Sequence, residues 1–300
     1  MVKSDKEEYE TYTNPTPIVL WHGIMDTARS KENMEGIIGD IRAVIPKAHI
    51  HSLMIGVTAF GDKFNSLFMD VNKQVKLACK MILDDKKLEN GYHGLGISQG
   101  GQFLRAVAQR CPHPPMFNLI TLGSQHQGYY DVGQIKYHDK ALYLAKHISY
   151  WVIIRSNIVV AQNWHDPIDY KTYAKKNTFI ADINNEKKKK KEEYKTHLLR
   201  LKNLVLVKFT RDEKVVPLDS SWFGFYTNGQ DEDITQMTES QLYKEDWIGL
   251  KELDEKGRLH LLAKAGRHLE FTTRWFKQKV VKKWLAPTYW KKEGEENPHS

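Results

Sequence analysis

The chain has 300 residues, 41% of them hydrophobic, enough to bury a sizeable core without help from metals or a disulfide framework. Its formal net charge is +8, but part of that excess is a lysine run fenced by acids, EKKKKKEE at Glu186–Glu193, with no aromatic interleaved, which reads as a solvated face and excludes a nucleic-acid partner. The longest apolar stretch, Leu142–Ala161, is broken by Lys146, His147 and Arg155, so no transmembrane segment is expected, and residues 1–17 lack the apolar run of a signal peptide.

In chain order, short apolar runs alternate with helix-like segments. PIVLWHG at Pro17–Gly23 predicts a buried strand ending in His-Gly, and Glu35–Val44 predicts a helix. HIHSLMIG at His49–Gly56 predicts a second strand. A helix is expected over Val71–Leu83, where Val71, Val75, Leu77, Ala78 and Ile82 recur at helical spacing. YHGLGI at Tyr92–Ile97 predicts a third strand, followed by a helix over Gln102–Gln109. FNLITLGS at Phe117–Ser124, NLVLVKFT at Asn203–Thr210 and RLHLLA at Arg258–Ala263 predict three more strands. Strands alternating with helices predict an α/β fold, with a mostly parallel central sheet flanked by helices. Residues from about 129 to 194 break this rhythm; they are helix-like and aromatic-rich, and are expected to form a lid-like insertion. The main domain is therefore expected over 17–285, between polar tails at 1–16 and 286–300.

GISQGGQ at Gly96–Gln102 places a serine between glycines, after the third strand and before a helix. A G-x-S-x-G in that context predicts a nucleophile elbow, whose strained backbone tolerates almost no neighbouring side chain. Ser98 would project above the carboxyl ends of the strands, where the positive end of the following helix favours a developing oxyanion. A serine hydroxyl needs a base to take its proton and an acid to orient the base. On this type of sheet the chain order is serine, acid, histidine, with each partner on a loop after a later strand. Asp212 follows the fifth strand directly, whereas Asp219 lies further on and reads as a cap or turn residue. His268 follows the sixth strand in a Gly-bearing loop, while His260 lies within that strand and is expected to pack, and His299 lies next to the C-terminus. The order Ser98, Asp212, His268 results. The oxyanion donors are expected at the backbone N–H groups of Gln99 and of Ile24, which follows Gly23 in the loop after the first strand. His22 precedes the serine in the chain and is expected to order that loop. Cys79 and Cys111 match no zinc spacing and are compatible with one disulfide or two free thiols. No metal and no cofactor is expected.

At these positions the sequence resembles the palmitoyl-protein thioesterase family, in its lysosomal type 1 form. The matching segments are WHGIMD (Trp21–Asp26), GISQGGQFLRAVAQRCP (Gly96–Pro112), GSQHQG (Gly123–Gly128) and, loosely, Tyr150–Ile168. They continue through FIADIN (Phe179–Asn184), VPLDSSWFGFY (Val216–Tyr226), LYKEDWIGLKELDEKG (Leu242–Gly257) and GRHL (Gly266–Leu269). The resemblance implies an α/β-hydrolase that removes long-chain fatty acyl groups from cysteine thioesters of proteins and peptides, with its triad on Ser98, Asp212 and His268 and its oxyanion donors on Ile24 and Gln99. It also implies a Cys79–Cys111 disulfide and a lysosomal or secretory lumen. The chain departs from the family in lacking further cysteines and any Asn-x-Ser/Thr acceptor, since the proline in Asn14-Pro15-Thr16 spoils that one.

The triad does not distinguish oxygen esters from thioesters, so a lipase or carboxylesterase is the second reading. A non-catalytic lipid- or protein-binding relative is a third, against which the presence of all three residues argues. VVPLDSSWFGFY and the segment Trp151–Val160 either wall an acyl groove or form core beneath the insertion.

Overall fold

The first strand, β1 (Ile18–Trp21), is buried at every position. Its alternate residues feed two separate cores: Val19 and Trp21 face one, Ile18 and Leu20 the other. A strand covered on both faces needs a continuous apolar run, and IVLW supplies it. The computed structural model describes residues 15–130 and 152–287. It orders α1 (Met34–Val44), β2 (Ile50–Ser52), α2 (Ala59–Phe68), α3 (Val71–Asp84), β3 (Tyr92–Ile97), α4 (Gln99–Arg110) and β4 (Met116–Leu122) in the first half. β5 (Asn203–Phe209), a short antiparallel pair β6 (Phe225–Tyr226) and β7 (Ile234–Thr235), and β8 (Leu259–Lys264) follow. A final helical segment runs from Thr273 to Leu285 and widens to π geometry after Phe276.

Six strands form one parallel sheet in the order β2-β1-β3-β4-β5-β8. α3 and α4 cover one face, where Trp21 meets Phe103 edge to face at 5.3 Å between ring centroids. α1 and the final helix cover the other through Met34, Ile41, Phe276 and Val280. β5 repeats the alternation, with Leu204 and Leu206 on the first face and Val205 and Val207 on the second. Each fully buried aliphatic side chain of this kind contributes about 1.5–3 kcal/mol by leaving water. Parallel strands with helices on both faces, and a sharp turn from β3 into α4, make this an α/β-hydrolase fold.

Several elements differ from the expectation. The second strand spans three residues rather than eight, because this edge strand pairs only with β1 and their register ends at Leu20–Ser52. α4 begins at Gln99, three residues early, because Gly100 and Gly101 belong to its first turn. α2 was not expected at all. Between β4 and β5 the described residues form short helices, Val152–Asn157, Val159–Asn163, Tyr170–Lys176, Ile180–Ile183 and Glu192–Leu198. The remainder of the expected insertion, at 131–151, lies outside the described residues, as do Trp151, His299 and most of both expected tails.

Candidate active site

Ser98 sits where β3 turns into α4, with φ 52° and ψ −126°, a conformation that L-residues adopt only when their surroundings enforce it. The enforcement comes from close packing. A Cβ at Gly96 would collide with the backbone of Gly101, and one at Gly100 would collide with the carbonyl oxygens of Trp21 and His22 at the end of β1. The Ser98 N–H donates to the Leu122 carbonyl at 2.8 Å, which fixes the elbow to β4. Being first in α4, the Gln99 N–H has no acceptor within the helix and is available above the sheet.

His268 and Asp212 arrive from the ends of β8 and β5. The His268 Nε2 lies 3.1 Å from Ser98 Oγ, and its Nδ1 lies 2.7 Å from Asp212 Oδ2. A carboxylate only accepts, so Nδ1 carries the proton and Nε2 is left to accept from the serine hydroxyl. Asp212 is itself fixed, because its Oδ1 accepts from the N–H groups of Lys214 and Val215 at 2.8 and 3.1 Å. Its side chain is 1% exposed, which keeps water from competing for the imidazole. Asp219 instead accepts from Lys208 Nζ at 2.9 Å. His260 bridges to Asn203 on the adjacent strand at 2.9 Å and packs on Trp284.

The loop after β1 lies against the serine: a Cβ on Gly23 would stand 3.2 Å from Ser98 Cβ. His22 orders this loop, donating from Nδ1 to the Gly23 carbonyl at 2.8 Å, with Nε2 3.1 Å from Asp62 Oδ2. Asp62 is buried on α2 and accepts from the N–H groups of Ala28 and Ile55. Burial works against its charge, but the His22 ring and those two N–H groups outweigh it and hold its pKa below the ordinary carboxylate value. One turn further along α2, Ser66 Oγ accepts from the Met25 N–H at 2.9 Å, and the Ser66 carbonyl accepts from the Gln99 side-chain amide at 3.1 Å. A single buried face of α2 thus braces both Ile24 and Gln99, the two residues expected to supply oxyanion donors. Sequence reasoning missed Asp62 and Ser66. Their i, i+4 spacing behind the Thr58 N-cap was the available signal.

Residues 17–268 match the sequence model described as Palmitoyl protein thioesterase. The chain belongs to that family. It is 42% identical over 282 residues to palmitoyl-protein thioesterase 1 of Caenorhabditis elegans, an alignment covering 93% of this chain and 94% of the relative. It is 34% identical to palmitoyl-protein thioesterase 3 of Dictyostelium discoideum over 81% of each chain. It is also 28% identical to lysosomal thioesterase PPT2-B of Xenopus laevis, over 83% of this chain and 85% of the relative.

In this member of the palmitoyl-protein thioesterases, a cleft of about 760 Å³ opens beside Ser98 and His268, within the size range of sites for small molecules. Ile24, Met25, Lys63, Tyr129 and Val160 are among the residues that line it. Val160 is where the expected groove walls meet this cleft. The aromatics of VVPLDSSWFGFY do not line it: Phe223 is buried and stacks on His126 at 4.8 Å, and Phe225 stacks on His165 at 4.0 Å. They are core. The Cys79–Cys111 disulfide joins α3 to the residue after α4. Among the described residues, metal-ligand chemistry converges at His49, His51 and Asp85, outside the cleft at the β2 edge. There Asp85 Oδ2 accepts from both rings at 2.7 and 2.6 Å; burial opposes its charge, yet these bonds pull its pKa down to about 2.

Proposed function

We propose that the protein hydrolyses long-chain fatty acyl thioesters of protein and peptide cysteines through an acyl-serine intermediate. The observation that carries this reading is the hydrogen-bonded series Ser98–His268–Asp212 at the mouth of the cleft, in a chain of the palmitoyl-protein thioesterase family. Ser98 Oγ attacks the thioester carbonyl carbon as its proton passes to His268 Nε2. The carbonyl π electrons move to oxygen, where the N–H groups of Ile24 and Gln99 stabilise the charge. The tetrahedral adduct collapses, the C–S bond breaks, and the cysteine leaves with the proton from His268. Water, deprotonated by the same imidazole, then attacks the acyl-serine and releases the fatty acid and the free hydroxyl. Asp212 holds the tautomer throughout and steadies the imidazolium.

The catalytic roles are therefore Ser98 nucleophile, His268 base and acid, Asp212 orienting acid, and Ile24 and Gln99 oxyanion donors. A lysosomal or secretory lumen is the proposed compartment, supported by the disulfide and by the name of the Xenopus relative, a lysosomal thioesterase. Turnover of palmitoyl-CoA against a matched oxygen ester tests the substrate class: the thioester should react faster, and a strong preference for the oxygen ester would move the protein to the lipases. A fluorophosphonate should label Ser98, and Ser98→Ala should abolish both labelling and turnover.

A further inference from the structure

α2 is built inside out. Phe60, Phe64, Leu67 and Phe68 recur at helical spacing, yet the residues the helix buries are Asp62 and Ser66. Phe60 is 80% exposed, Phe64 51% and Phe68 46%, and Val57 just before the helix is 95% exposed. The Phe64 and Phe68 rings lie against each other, 4.8 Å between centroids, so these side chains form a continuous face. A monomer seldom leaves such a face to water without a use for it. The helix cannot roll to hide it, because Asp62 and Ser66 are committed to the N–H groups of Ala28, Ile55 and Met25.

Two observations identify what covers it. The first is charge: from Gly56 to Phe68 the one exposed charged residue is Lys63, in a chain of net charge +8. A face of phenyl rings with a cation among them suits an anionic lipid leaflet better than a second copy of the same net-positive chain. The second is position: Lys63, beside the phenyl rings on α2, also lines the cleft with the half-exposed Ile24 and Met25, so the apolar face adjoins the cleft mouth.

We propose that Val57, Phe60, Phe64 and Phe68 dock the enzyme on anionic phospholipid membrane, with α2 seated at the headgroup–acyl boundary. The docked molecule brings the cleft to the leaflet in which the fatty chain of an S-acylated substrate is embedded. That use of the face rests on the thioesterase reading, whereas the docking itself does not. The test is co-sedimentation of the full chain, carrying Ser98→Ala, with vesicles of phosphatidylcholine alone and of phosphatidylcholine mixed with phosphatidylglycerol. Binding is expected, tighter on the anionic vesicles, with Phe60→Ser/Phe64→Ser lowering the partition constant about a hundredfold. Both side chains are on the surface, so the double variant folds. With Ser98 restored, it should hydrolyse a dissolved short-chain acyl thioester at the wild-type rate but lose turnover on an acylated peptide held in vesicles. Absence of wild-type binding to both vesicles would overturn docking, as would equal binding by the double variant. A wild-type dimer that the double variant converts to monomer would assign the face to a second copy. Vesicle binding without any Ser98-dependent turnover would leave docking standing and remove the thioesterase reading.

Discussion

Asp212 is the residue whose chemistry is most easily separated from its shape. Asp212→Asn keeps the volume and the N–H donors from Lys214 and Val215, but an amide fits either His268 tautomer and gives no charge to an imidazolium. Such a change should lower kcat/KM about 10³- to 10⁴-fold in steady-state assays while the protein remains folded. Ser66 makes a different prediction because it touches no reacting atom. Ser66→Ala removes the acceptor for the Met25 N–H and loosens the loop that presents Ile24. We expect kcat to fall about tenfold with little change in KM, since the loss is felt where the oxyanion forms. A rise in KM alone would assign Ser66 to substrate binding instead.

Among the elements, α3 and α4 are stapled by the Cys79–Cys111 bond across a sequence separation of 32. Loop-closure entropy for that span corresponds to about 3.7 kcal/mol, so Cys79→Ser/Cys111→Ser should lower the unfolding free energy by up to roughly that much in urea titrations. Activity at moderate temperature should survive, because neither cysteine reaches the cleft. The sheet strands were legible because runs such as IVLW and NLVLV must be apolar on both faces. Ser98, Asp212 and His268 were legible because each follows a readable strand, and these are the residues that the structure brings within hydrogen-bond reach. α2 was not, for a physical reason: periodicity analysis assumes that the apolar stripe faces the core, and here the stripe of Phe60, Phe64 and Phe68 faces solvent while Asp62 and Ser66 face in. The role of Phe223 and Phe225 was equally closed to sequence, because a core aromatic and a groove aromatic have the same composition.

For the whole molecule, the packing of the β4–β5 connection against the sheet predicts an unusual pH response. His165 is stacked between Tyr173 and Phe225 at 3.9 and 4.0 Å, and donates from Nδ1 to the Gln127 carbonyl. Burial pushes its pKa down from 6.5 to about 3. Glu186, bonded by the Tyr173 hydroxyl at 2.6 Å, is pushed up by burial from 4.5 to about 7, against the pull of Tyr173, Lys190, Arg105 and Lys187. Between pH 6.5 and 4.5 the unfolded chain binds a proton at His165 that the fold does not, so His165 by itself lowers stability by about 1.4 kcal/mol for each unit that pH drops. Glu186 acts oppositely there, since the fold keeps a proton that the unfolded chain releases. His165→Phe, which preserves the stack, should raise the urea midpoint relative to the wild type as pH falls through this window, and Glu186→Gln should lower it. Parallel profiles in all three proteins would contradict burial as the cause. The sheet order has one more consequence. The imidazole proposed to activate the serine stands 170 positions later in the chain, just beyond edge strand β8, whose pairing is with β5. A growing polypeptide therefore carries its elbow long before that imidazole can reach it, and hydrolysis is expected to begin only once β8 has docked on β5.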